Sequence, residues 1–485
     1  MKSIMNKVPL SIRTFTTLLS FLTFCLFFAG AVSYGGSPCS DPPSVTVETS
    51  YYDTLGTPAN AQVTQDGHIL VSVSGGTVPN SGCPNAPPNS GVTGVQVFNT
   101  DLTPACLIDL PRPPGGQPIV SVFGMKSFPR RPQQTSETPS IGAAVEAEGA
   151  EFFRLTDFNT CAKDGIVDVQ QYRHRKAPGT FDLAVTPDGK FAFVANEYGL
   201  VPGVNTYGNG TIGVISVQQD LVGRFMRGTR FGTGLIDQNP YIYVPGGGAI
   251  PGITISHDGR YLYVTSEVAA TGYQDPTNSV NPILTTNECH NKGPNSGHSN
   301  NGLLTVIDVE KAKSGLGQQA ISRIIASGCA PVRVVETTDG RYVWVAARGG
   351  DPDRLGEVGR VLAFDVQTLL SDSPNNAFVG YGDSGGTEPV GMALFDSDRL
   401  LAVANSNRDQ VPEDLNGISN VAILHVCPTG GGGAVSVVTQ IDSLDRDSFP
   451  RDVTLGPDGS TLYVPNFCLN KLEVIKTFVC NPNPH

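Results

Sequence analysis

Charge is scarce in this sequence: only 16% of its 485 residues are Asp, Glu, Lys or Arg, tryptophan occurs once and methionine five times. No stretch beyond residue 33 keeps the 3.6-residue period of an amphipathic helix, and DVEKAKSGLGQQ around Asp308 supports a turn or two at most. A helical protein is thereby excluded. The 32 basic residues are outnumbered by 44 acidic ones, and a net charge of -12 leaves no broad basic surface for nucleic acid or an anionic membrane. CxxC pairs, His-x3-His spacings and an HExxH motif are missing, so no metal site is expected. Nor is there a GxSxG elbow or a glycine-rich phosphate loop ahead of a helix, and no cofactor is expected.

What is plentiful is glycine, 56 residues, and proline, 37, the composition of many strands joined by tight turns. The first 33 residues stand apart. Lys2, Lys7 and Arg13 precede an apolar run from Phe15 to Phe28 and the small residues AGAVS. The run is shorter than the roughly 20 residues of a membrane span. Residues 1–33 therefore read as a secretory signal peptide, and 34–485 as one secreted domain with no membrane attachment once the signal is removed. Nine cysteines follow, at positions 39, 83, 106, 161, 289, 329, 427, 468 and 480, in a compartment where disulfides persist. Their odd number leaves at least one outside any intrachain pair. Asn209-Gly210-Thr211 is an N-glycosylation sequon in a loop-like context.

The organising unit is TFDLAVTPDGKFAFVANEYG, Thr180 to Gly199: alternating apolar residues, a Pro-Asp-Gly turn, and alternating apolar residues again. The pattern returns from Pro58, Pro139, Ile250, Ala330, Glu388 and Phe449, giving seven copies, the one from Pro139 degenerate. Further alternating strands follow at 94, 211, 303, 360, 420 and 471, so each unit is a small antiparallel sheet. Sheets of this kind bury both faces by radial stacking. The fold expected is an all-β, seven-bladed β-propeller, with SVTVETSYYDTLG from Ser44 supplying the outer strand of the seventh blade. That closure brings Cys39 near Cys480, and a disulfide is expected there; another is expected between Cys289 and Cys329, which fall in loops on one face.

The hairpin endings Leu-Tyr-Val-Thr-Ser, Leu-Tyr-Val-Pro-Asn and Phe-Val-Ala-Asn resemble the YVTN-type repeat and, more broadly, the lactonase-like seven-bladed propellers. The resemblance spans nearly the whole chain after the signal, but the repeated residues are core and turn residues. In overall type it is also similar to the fungal hetero-Diels-Alderase propellers of secondary metabolism. Such a resemblance implies chemistry on a small organic molecule in the central funnel.

Loop lengths say which face would carry it. The Asp-Gly turns are short throughout, whereas the loops after the second strands are long and rich in Gly, Asn and Pro. At equivalent positions near the start of each inner strand stand Asn60, Gly142, Asp182, Gly252, Arg333, Gly391 and Asp452. The second strands end at Ser74, Thr156, Asn196, Ser266, Ala347, Asn405 and Asn466. The next residues are Gly75, Asp157, Glu197, Glu267, Arg348, Ser406 and Phe467. An acidic arc from blades two to four thus faces Arg333, Arg348, Arg408 and Arg451. Arg333, Glu197, Glu267 and Arg348 are the candidate catalytic groups, arginines as donors and glutamates as acid or base. Asn60, Asp182, Asp452, Arg451, Asn405 and Asn466 are the candidate binding groups. His68 and His257 fall at turns on the other face, where solvent exposure is expected, and His290 and His298 lack a third ligand.

Two functions remain open. One is a secreted enzyme, free of metal and cofactor and acting as a monomer on a small molecule, of cyclase or pericyclase type or lactonase-like. The family's lactonases imply a His, Glu and Arg combination, and no histidine falls on these rings. The other is a non-catalytic extracellular propeller that binds a ligand or a protein.

Overall fold

The computed structural model describes residues 41–64, 66–75, 92–110, 122–129, 140–145, 149–163, 166–170, 179–197, 210–219, 225–226, 232–270, 298–299, 301–349, 359–408, 417–428, 434–442 and 448–480. Seven antiparallel sheets follow one another along the chain, with a small three-stranded sheet beside the fourth. Each inner strand packs against the next, and the short inner strand Thr454–Leu455 of the last sheet returns to Thr57–Val63 of the first. The result is a closed seven-bladed β-propeller, as the repeats imply.

The alternation within each strand has a direct cause. Phe193 and Ala195 of the strand Phe191–Asn196 enter the core shared with blade four, while Ala192 and Val194 enter the core shared with blade two. Successive side chains of a strand point to opposite faces, so one apolar-rich strand seals two interfaces. Every pair of neighbouring blades encloses such a core, the last between blades seven and one, where Leu472 and Val474 meet Ala61, Ile69 and Val71.

Closure follows the expected route. Ser44–Asp53 pairs antiparallel along the whole length of Lys471–Cys480, with Ser44 opposite Cys480 and Asp53 opposite Lys471. The short helix Val309–Lys313, N-capped by Asp308 through Lys311 N–H, is the single turn that DVEKAKSGLGQQ supports.

Blade two departs from the sequence reading. Its inner strand is Val122–Ser127, and the hairpin that begins at Pro139 contributes strands two and three, Ser140–Val145 and Gly149–Asp157. Val122 pairs with Val145 and Val145 with Gly149, so the end of the second strand and the start of the third lie at the mouth end of this blade. Thr156 and Asp157 lie at the opposite end, which removes Asp157 from the acidic arc. The degenerate repeat misled because a strand pair with a tight turn looks the same whether it fills places one and two or places two and three.

Cys106, on the outer strand of blade one, is joined to Cys161 beyond the third strand of blade two, a pairing the sequence did not indicate. Cys329, Cys427 and Cys468 are also disulfide-bonded. The expected Cys39–Cys480 and Cys289–Cys329 bridges each involve a cysteine outside the described residues, as do residues 1–33, the sequon at Asn209, His290 and most of the long loops.

Candidate active site at the channel mouth

The chain enters most inner strands through a left-handed residue: Gly179, Ala249, Ala330, Glu388 and Phe449 all have φ between 49° and 63°. Each of their carbonyls accepts the main-chain N–H of the residue that follows the second strand, namely Glu197, Glu267, Arg348, Ser406 and Phe467, at 2.8 to 3.0 Å. This repeated clamp brings the two candidate rings together at one end of the channel. Just inside it, blades one, three, five and six carry a register shift, between Pro58 and Asn60, Thr180 and Asp182, Pro331 and Arg333, and Pro389 and Gly391. A bulge re-aims the side chain beside it.

The ring that results alternates. With Gly124 in the place that the sequence assigns to Gly142, its members are Asn60, Gly124, Asp182, Gly252, Arg333, Gly391 and Asp452. A Cβ on Gly124 would lie 2.7 Å from Asp182 Cα, one on Gly252 2.5 Å from the Val332 carbonyl oxygen, and one on Gly391 2.5 Å from Asp452 Cα. Glycine in the even blades lets the neighbouring backbone close in, and the polar side chains of the odd blades fill the space.

Those four polar residues do converge. Arg333 Nη1 lies 2.7 Å from Asp182 Oδ2, and its Nη2 lies 3.4 Å from Asp452 Oδ1. Arg333 Nε donates to the Val390 carbonyl at 3.2 Å, and Asn60 Nδ2 donates to Asp452 Oδ2. Asn60, Asp182 and Asp452 are buried. Burial pushes the Asp182 carboxyl above its usual range, against the pull of Arg333 and Lys126. The Arg333 guanidinium is half-buried, and although desolvation lowers its pKa, Asp452 and Asp182 hold it above the ordinary value. An ion network of this kind is costly to break because any member left alone is an uncompensated buried charge.

Outside this ring, one residue earlier on each inner strand, lies a layer of which the sequence reading named Arg451 but not the aromatic cluster around it. Ala59, Phe123 and Val390 pack with Phe449, Phe467 and Cys468. Phe123 stacks on Phe181 at 5.0 Å, and Phe449 lies 5.3 Å from Phe467. The Arg451 guanidinium sits among the four rings, 4.4 Å from Phe123, 5.1 Å from Phe181, 5.7 Å from Phe449 and 5.1 Å from Phe467. Phe123 and Phe181 come from blades two and three and Arg451 from blade seven, so the cluster spans the mouth. The signal was available as the neighbours of the ring positions, but it is legible only once Val122–Ser127 is recognised as an inner strand.

The remaining candidates divide. Arg348 is ion-paired with Glu267, linking blades five and four at the rim. Glu197 sits beside the clamp of blade three. Asn405 and Asn466 are turned into their own blades: Asn405 Nδ2 donates to the Ser384 carbonyl and to Asn420 Oδ1, and Asn466 Nδ2 to Glu473 Oε2. These asparagines tie strand ends together, as Asn196 does with Thr180 and Thr211. Asn60, Asp182, Arg333 and Asp452 are therefore one unit, Glu267 and Arg348 a second, and Arg451 with its phenylalanines a third. Among the described residues no three metal-ligating side chains are grouped.

No protein-family model matches the chain, and no curated protein matches it. Among solved structures it is similar to a chain of the mitotic checkpoint complex, at 11% identity and a TM-score of 0.51, covering 93% of this chain and 98% of that one. It is also similar to the β-propeller domain of Cps50 (Swd1) from Myceliophteria thermophila, at 10% identity and a TM-score of 0.50, covering 88% and 99%. Hydrazine synthase of Kuenenia stuttgartiensis matches at 15% identity with a TM-score of 0.48, over 92% and 99%. At these identities the likeness is one of fold.

Proposed function

We propose that this chain is a secreted propeller that takes up a small, largely apolar organic molecule bearing a carbonyl or carboxylate at the channel mouth and rearranges it by shape and hydrogen bonding. The observation that carries the reading is Arg451 among Phe123, Phe181, Phe449 and Phe467. A cation against ring faces is attracted by their quadrupoles and is shielded from water, and a guanidinium N–H is a strong directional donor to a substrate oxygen. Such a wall and donor suit cyclase or pericyclase chemistry, in which the enzyme supplies orientation and stabilises charge that develops on a carbonyl oxygen. The YVTN-like, lactonase-like resemblance of the repeats agrees with a small-molecule substrate. Lactone hydrolysis itself is not favoured, because the ring holds no histidine.

A second reading has its own support. Asn60, Asp182, Arg333 and Asp452 are already paired with one another, as a scaffold requires and a free acid or base does not, and a binding propeller needs no more than the rim. Benzoate, an aromatic ring with a carboxylate, tests the site in either case. Titration and crystal soaking should place its carboxylate on Arg451, and Arg451→Met, which keeps the apolar stem, should abolish binding. Undiminished binding by that variant would sink the assignment. Mass-neutral conversion of a polyene carbonyl compound, followed by chromatography, then separates enzyme from binder.

A further inference from the structure

On the face opposite the mouth four of the repeats share one turn design. Thr186 donates to Asp188 at 2.5 Å, Ser256 to Asp258 at 2.7 Å and Thr337 to Asp339 at 2.6 Å, and Thr64 donates to Asp66. The residue just before the hydroxyl closes the inner strand and is Val63, Val185 and Ile255 in blades one, three and four. In blade five it is Glu336. The residue just after the hydroxyl is Pro187 in blade three and Thr338 in blade five, but His257 in blade four. Neither the carboxylate nor the imidazole is needed for the turn, since its siblings fold without them.

The two departures meet. Glu336 Oε2 lies 2.8 Å from His257 Nδ1 and accepts the His257 main-chain N–H at 2.6 Å, while Oε1 accepts from Tyr263 Oη at 3.1 Å. Part of this is a staple between blades, because at the next interface the Thr338 N–H donates to Asp398 Oδ2 at 2.6 Å. The Thr338 hydroxyl donates to the same oxygen at 2.5 Å, in the place of the imidazole Nδ1; what the imidazole adds is a second nitrogen, Nε2, that a hydroxyl lacks. The Glu336 side chain is 3% exposed and that of His257 52%, so a buried carboxylate fixes one ring nitrogen and leaves Nε2 for a neighbour. A carboxylate that accepts from Nδ1 selects the tautomer in which Nε2 is an acceptor.

A cavity of about 440 Å³ lies beside this dyad, with Tyr261, Val366 and Leu370 as its apolar side and Ser256, Asp258, Arg260, Thr338 and Asp339 among its polar lining. Arg260 is the cavity's guanidinium, and it is already engaged, paired with Asp258 at 2.5 Å and lying over the Tyr261 ring at 5.5 Å. The other polar groups of the lining are engaged as well: the Ser256 and Thr338 hydroxyls donate to Asp258 and Asp398, and Asp339 accepts from the Thr337 hydroxyl and the Arg341 N–H, so recognition of a ligand's polar group falls to His257 Nε2. We propose that this cavity is a second small-molecule site, distinct from the mouth, that takes a compact aromatic alcohol or phenol. The hydroxyl donates to His257 Nε2 and the ring packs against Tyr261, Val366 and Leu370. An apolar side for the ring and a small number of placed polar groups to orient it are what such sites use.

The test compares naphthol with naphthalene, which has the same apolar body and no hydroxyl, by fluorescence titration of the intact protein and of Arg451→Met, which disables the mouth. Naphthol should bind about tenfold more tightly than naphthalene, the factor that one hydrogen bond of about 1.4 kcal/mol supplies. His257→Phe should erase that preference, His257→Gln should restore part of it, and Arg451→Met should leave it unchanged. Absence of the preference in the unmodified protein, or its survival in His257→Phe, overturns the proposal. A staple without a ligand would show up as a lower melting temperature in Glu336→Gln together with no preference for naphthol, which overturns it equally.

Discussion

Arg333 and Asp182 stand on blades five and three, yet their side chains meet at 2.7 Å across the channel. Blade four passes between them with Gly252, where a Cβ would come within 3.2 Å of Arg333 Cα. The pair exists because the intervening blade has no side chain at that level. Asp452 from blade seven is the second carboxylate on the same guanidinium, at 3.4 Å, so three blades are pinned to one cation.

Arg333 is therefore a structural member of the channel before it is anything else. Arg333→Ala strands two buried carboxylates and should lower stability by about 3–5 kcal/mol, the usual cost of removing one partner of a buried pair. Denaturant unfolding of the variant checks this. Retention of full stability would mean that water already serves Asp182 and Asp452, and would return Arg333 to the role of a free substrate donor.

The alternating ring makes a separate prediction about glycine. Gly391→Ala forces a methyl to within 2.5 Å of Asp452 Cα and Gly124→Ala to within 2.7 Å of Asp182 Cα, and backbone cannot yield as a side chain can. Overpacking of this kind costs about 1–3 kcal/mol. Gly142→Ala, at the position that sequence alone assigns to the ring, meets the side chains of Phe128 at 2.9 Å and Leu183 at 3.3 Å and should be tolerated better. Melting temperatures of the three variants decide which glycine belongs to the ring.

The architecture was legible because most copies of the repeat state the same thing: strand alternation, turn chemistry and the count of seven agree. Asn60, Asp182, Arg333 and Asp452 were legible for the same reason, since equivalent places in a closed ring must face one another. Blade two was not, because its turn residues are degenerate and its inner strand Val122–Ser127 lies apart from the hairpin that resembles the others. Arg451 was named from the sequence, but its phenylalanine partners and the His257–Glu336 pair were not, because both sets join residues on different blades and are set by radial packing rather than by spacing along the chain.

The Cys106–Cys161 disulfide closes a loop with a sequence separation of 55 and ties the outer edge of blade one to blade two. Constraint of the unfolded chain by a loop of that size is worth about 4 kcal/mol in the chain-entropy account. Replacing both cysteines by alanine should lower the unfolding free energy by an amount of that order while leaving the mouth intact. Chemical denaturation, paired with benzoate titration, measures both. Loss of benzoate binding at unchanged stability would show that the bridge shapes the mouth instead.

The seam that closes the ring should respond to pH through Glu473. This carboxyl is buried in the third strand of blade seven, where it accepts from Tyr51 Oη of the closing strand at 3.2 Å and from Asn466 Nδ2 at 2.9 Å. Burial raises its pKa from the ordinary 4.5 to about 7, outweighing the two hydrogen bonds, which favour the ionised form. The folded state thus holds a proton that the unfolded chain gives up sooner. Its contribution to stability is fully present below about 4.5 and is lost as pH rises through about 7. A shift of this size corresponds to about 3 kcal/mol. Glu473→Gln keeps a neutral group of the same shape, so its stability between pH 4.5 and 7 should be nearly flat where the unmodified protein declines. Parallel declines in the two proteins would place the ionisation elsewhere and leave Glu473 charged within the seam.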